Sequence, residues 1–104
     1  MKSLSLSISA AAALRLANFL ATAEVADPIP AILFGRRPDE AQEKWSVGVY
    51  SRSRARQLHD LYQSRGLHAL VCVDNMELCI PQTHLHAALE GKTLDVEGDT
   101  LVVR

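Results

Sequence analysis

The chain is short of cysteine, of aromatic rings and of charge excess of either sign. It has 104 residues with two cysteines, 5% aromatic residues, and 11 basic against 12 acidic side chains, a formal net charge of -1. Two cysteines are too few to build a disulfide-held miniprotein. A general nucleic-acid binder is more basic than this. The rings at Phe19, Phe34, Trp45, Tyr50 and Tyr62 are too scattered to form a stacking platform for bases. No apolar run approaches the ~18 residues of a membrane span, and five glycines and four prolines exclude a collagen-like chain. What remains is 48% hydrophobic and 22% charged, an ordinary globular balance. The length suits one domain over residues 1–104.

The stretch from Met1 to Ala23 has some look of a signal peptide, with Lys2, an apolar segment and the small residues Ala21-Thr22-Ala23. Two features oppose that reading. Ser3, Ser5, Ser7 and Ser9 alternate with Leu4, Leu6 and Ile8, which is strand periodicity, and Arg15 interrupts the apolar segment. A cytoplasmic protein with both cysteines as thiols is the expectation.

The alternation predicts a strand over residues 3–8 with Leu4, Leu6 and Ile8 inward. Ser9 then caps a helix over 10–23, with Leu14, Ala17, Leu20 and Ala21 buried and Arg15, Asn18 and Thr22 wet. Pro28 ends it, and Ala31–Phe34 reads as a buried strand. Trp45, Val47 and Val49 alternate with Ser46, Gly48 and Tyr50 in a further strand. Ser51 or Ser53 caps a second helix burying Ala55, Leu58, Leu61 and Tyr62, and Gly66 suits its end. Strands at 69–73 and 77–80 flank a turn at 74–76, and Pro81 ends the second. A helical turn at 83–89 precedes short strands at 93–96 and 101–103 around Glu97-Gly98-Asp99. This order predicts a β-rich α+β fold with one helix near the N-terminus and one mid-chain.

The last third also carries a resemblance. Leu89-Glu90-Gly91-Lys92-Thr93-Leu94-Asp95 resembles the L-x-G-x-x-[LI]-D stretch of the A-type iron–sulfur carriers (HesB, IscA, SufA). It follows a strand, turn and strand at Val71–Ile80 similar to theirs, and Leu6–Leu14 resembles their opening strand and Ala-rich helix. The resemblance spans nearly the whole chain and implies a compact mixed β-sandwich. Segment 51–65 departs from it, since the family has a shorter, less helical connection there. The family holds iron or a cluster through three cysteines, which suit the metal as soft anionic ligands. One lies in an early loop, but residues 36–45 here contain no cysteine. The other two form a Cys-x-Cys pair that has no counterpart within residues 1–104. The resemblance therefore implies a branch without ligand cysteines, similar to the DsrR type associated with bacterial sulfur oxidation. No cofactor, no catalytic residue and no metal ligand is carried over from it. The implied role is accessory or regulatory, through protein partners of sulfur metabolism, as a monomer or weak homo-oligomer.

If Asn75-Met76 is a two-residue turn, Cys72 and Cys79 sit opposite each other on one face of the hairpin, as small core side chains. With His84 and His86 they form the one alternative set for iron or a cluster, although no zinc-like spacing exists. His59 and His68 read as surface or boundary residues. Arg52, Arg54 and Arg56, with Arg36, Arg37 and Arg65, form the densest positive charge and the candidate interaction surface. Such a run is commonly a solvated face. A protein partner fits it better than nucleic acid, which is the alternative use of Arg52, Arg54 and Arg56. Enzyme signals are lacking: there is no Gly-rich phosphate loop and no G-x-S-x-G, and solvation explains Asp39, Glu40 and Glu43.

Overall fold

Helical and strand periodicities sort this chain into an α+β, β-rich fold of two mixed sheets. The computed structural model describes residues 2–36 and 38–104. In chain order the elements are β1 (Lys2–Ser3), β2 (Ser7–Ile8), α1 (Ala10–Ala21), β3 (Pro28–Gly35), β4 (Lys44–Ser51), α2 (Arg52–Gln63), β5 (Leu70–Val73) and β6 (Met76–Cys79). A 3-10 turn (Thr83–Leu85), α3 (His86–Leu89), β7 (Thr93–Glu97) and β8 (Thr100–Val103) complete it. One sheet runs β1-β5-β6-β3-β4 and the other β2-β7-β8. No helix among the described residues is long and apolar enough to cross a membrane.

The alternating segment 3–8 is not one strand. Its start pairs in parallel with β5 and its end in parallel with β7, so the chain passes from one sheet to the other. Leu4 and Leu6 are buried at the crossing. The N–H of Ser5 donates to Glu90 and the N–H of Gly91 to the Ser5 carbonyl, which satisfies the backbone where neither ladder does.

Ser9 caps α1 as expected, its hydroxyl accepting from the Ala12 N–H. Such a cap contributes about 1 kcal/mol. The helix ends at Ala21, and its buried residues are Ala12 and Leu16, whereas Leu14 is 67% exposed. Leu14 and Leu16 lie about 200° apart on the helix, so only one can face the core. Arg15, Asn18 and Thr22 are exposed as the pattern required.

Pro28 does not stop α1; it opens β3. The Arg52 N–H donates to the Asp27 carbonyl, which fixes the phase of the β3–β4 ladder: odd residues of β3 bond to β4 and even ones turn away. Pro28 and Pro30 thus lack donors only on the side facing β6, where pairing is limited to the bridge Ala31–Cys79. Further along that side, the Gln82 side-chain amide accepts from the Phe34 N–H and donates to its carbonyl, replacing a strand peptide.

Ser51 caps α2, and Gly66 (φ +73°) follows the helix in the left-handed region. Ala55 and His59 are buried on α2, whereas Leu61 is 63% exposed. His59, expected at the surface or a boundary, is only 9% exposed and accepts the Leu70 N–H at Nδ1. His68 is half-buried beside it, with ring centroids 5.6 Å apart.

The β5–β6 turn sits one residue earlier than Asn75-Met76. Asp74 (φ 47°) and Asn75 (φ 65°) take it, because both central positions need positive φ and methionine tolerates that poorly. Cys72 therefore faces Glu77 and Cys79 faces Leu70.

Ile32, Val71, Val73 and Leu78 form a core cluster with Leu4, Leu6, Ile80 and Leu89. A second cluster packs Ala12 and Leu16 of α1 on Leu94 and Leu101, and Ile8, Val47, Met76 and Val103 touch both. The opposite face of the larger sheet packs Ile29, Ala31, Leu70 and Cys79 against Ala55 of α2.

Candidate functional site

Among the described residues, Arg36 and Arg52 lie at opposite ends of the β3–β4 ladder: Arg36 follows the end of β3, whereas Arg52 opens α2. Arg36 donates weakly to the Glu40 carbonyl at 3.4 Å, and Arg37 lies outside the described residues. Arg52 is engaged: its guanidinium pairs with Glu77 and, at 3.5 Å, with Asp27. These carboxylates also offset the unfavourable placement of cations at a helix N-terminus. Arg54, Arg56 and Arg65 are exposed and make no ion pair among the described residues. Arg54 and Leu61, seven residues and thus two helical turns apart, lie on one exposed side of α2 about 10 Å apart along its axis.

The four candidate metal donors are dispersed. Cys72 and Cys79 share a face but are diagonal, not opposite, which puts their Cα atoms about 7–8 Å apart, too far for a disulfide. Both are free thiols. Burial pushes the Cys79 thiol up to about 11, so it resists becoming the thiolate that a metal needs. The buried His86 uses Nε2 on the Ile80 carbonyl at 2.9 Å, whereas His84 is exposed. Among the described residues no group of three or more His, Cys, Asp or Glu is placed to hold a metal ion.

The motif at 89–95 holds the N-terminal segment in place. Leu89 and Leu94 are fully buried, and Gly91 takes φ +78°, a conformation that suits glycine. Asp95 accepts from the Ser9 hydroxyl at 2.8 Å, tying β7 to the cap of α1. That bond, then the Val96 N–H and Arg104, hold its carboxyl below the usual range.

A cleft of about 350 Å³ opens where α1 overhangs β4 and β8, between Arg15, Phe19, Lys44, Trp45, Asp99 and Leu101. Sequence reasoning did not single out these residues as a site. Two of them stand out singly in the sequence without implying a cleft: Arg15 is the one charge within α1, and Trp45 is the chain's one tryptophan. Lys44 is held by Glu40 at 2.8 Å, whereas Arg15 and Asp99 have no ion-pair partner among the described residues.

The class this geometry defines is a β-rich α+β protein of two mixed sheets, with its thiols set in the larger one. Comparison of the chain with family models, with curated proteins and with solved structures found no match in any of the three.

Proposed function

We propose that this is a non-enzymatic protein of A-type-carrier-like build that holds neither iron nor an iron–sulfur cluster and acts through protein contacts. Its role in this reading is accessory or regulatory in bacterial sulfur oxidation, as the resemblance at residues 89–95 to the carrier family and its DsrR-type branch implies. The observation that carries the proposal is the state of the thiols. Cys79 is buried with its proton held to about 11, and Cys72 lies diagonal to it with no third donor in place. Residues 36–45, where the family has its first ligand, contain no cysteine. The exposed Arg54 and Leu61 on one side of α2 support contact with a protein, since a face carrying both arginine and apolar side chains suits an interface.

Anaerobic reconstitution with iron and sulfide tests this. The expected product is colourless after desalting, with iron well below stoichiometric. Visible absorbance that persists and disappears in Cys72→Ser overturns the proposal.

A further inference from the structure

Two strand edges without a partner strand border the cleft. β4 ends the larger sheet and β8 ends the smaller one, and the two pack together without pairing. The ladder phase gives the direction of their backbone groups. The even residues of β4 bond to β3, so the N–H and C=O of Trp45 and Val47 turn outward. Thr93 and Arg104 exchange both backbone bonds, so the even residues of β8 bond to β7, and Leu101 turns outward. Among the described residues β4 pairs only with β3 and β8 only with β7, so no further strand takes up these outward groups. Proteins blunt such edges with charges, prolines or short strands. β4 reads Lys-Trp-Ser-Val-Gly-Val-Tyr-Ser over eight residues, and its one charge is at its first position.

We propose that this cleft binds the C-terminal end of a partner protein as a short extended chain end against the backbone of Trp45 at the β4 edge, with the terminal carboxylate on Arg15. Main-chain bonds to the outward N–H and C=O of Trp45 supply affinity, as in the first step of strand addition. Phe19 and Leu101 flank the place for the last apolar side chain, beside the Trp45 ring. Arg15 is the cation available, because Glu40 holds Lys44. Its fork-shaped guanidinium matches a carboxylate. Asp99, at the turn between β7 and β8, is the acidic side chain lining the cleft, so an incoming carboxylate is placed toward Arg15. A volume of about 350 Å³ lies near the lower bound for binding pockets, which favours a chain end over a long segment passing through.

The inference rests on the reading that this protein works through protein contacts, and it names a site and a partner chemistry for that reading. Trp45, as the one tryptophan, makes the test direct. The intact chain is titrated with acetyl-Gly-Val-Leu as the free acid and as the C-terminal amide, following tryptophan emission. The expected result is a saturable change for the acid with a dissociation constant about tenfold below that of the amide. Arg15→Ala removes this preference while far-ultraviolet dichroism and the thermal midpoint stay unchanged, and Arg15→Lys restores part of it. Equal binding of acid and amide, absence of a saturable change, or an unaltered preference in Arg15→Ala overturns the assignment. These results leave the wider reading standing, whereas iron retained on reconstitution overturns that reading whichever way the peptides behave.

Discussion

The two faces of the five-stranded sheet are filled in different ways. Toward the three-stranded sheet the face carries Ile32, Val71, Val73 and Leu78, closed by Leu4, Leu6, Ile80 and Leu89. Toward α2 it carries Ile29, Ala31, Leu70 and Cys79 under Ala55. The first face fills its space with branched side chains. The second has small residues at two of its four positions, Ala31 and Cys79, and closes by bringing a helix near at a third small residue, Ala55. Size therefore stabilises one face and closeness the other, so each has its own most damaging substitution.

On the first face, removal of volume is the damaging change. Leu78 is fully buried and lies between the sheets. Leu78→Ala is expected to cost about 3 kcal/mol, the transfer loss plus a cavity that two sheets cannot collapse to fill. Urea unfolding followed by dichroism checks this, with the slope m unchanged. A loss under about 1 kcal/mol contradicts the assignment of this cluster as the main core.

On the second face, added volume is the damaging change. Ala55 is fully buried against Ala31 and Cys79. Ala55→Leu is expected to destabilise by about 2 kcal/mol through overpacking, although leucine is an excellent helix former. A neutral result in the same unfolding assay shows that α2 stands off the sheet and that the contrast between the faces is false.

Much of this arrangement was legible in the sequence, for local reasons. Ser9, Ser51 and Gly66 mark helix ends because capping depends on adjacent backbone groups. The strands from Trp45 to Tyr50 and from Leu70 to Val73 follow from alternation and β-branching. What was not legible depended on partners far along the chain. Pro28, read as the end of α1, instead opens β3, where the ladder phase turns its missing donor to the side on which β6 offers one bridge. The strand expected at 3–8 divides because its two ends meet different sheets. The turn register was within reach: Asp74-Asn75 tolerates left-handed backbone better than Asn75-Met76, and the shift separates the two thiols. His59 was also within reach, since Ala55, His59 and Tyr62 fall at i, i+4 and i+7. The cleft was not, because it exists only where β4 and β8 approach across two sheets.

The helices covering the two faces share one inversion, and it gives the smallest expected effect. Each carries a leucine that its own pattern assigns to the core, Leu14 in α1 and Leu61 in α2, and each turns it to solvent. In α1 the surrounding alanines offer no contrast in size between the two sides, so Leu16 takes the buried place. In α2 the half-turn that reaches the sheet is set by Ala55 and His59, which leaves Leu61 outside. An exposed leucine adds little to folding, so Leu14→Ser and Leu61→Ser are each expected to change stability by no more than about 0.5 kcal/mol beyond the propensity difference between leucine and serine. A loss of 2 kcal/mol or more at either position means that the corresponding helix is rotated from the orientation described, and at position 61 it also removes the apolar half of the proposed contact surface.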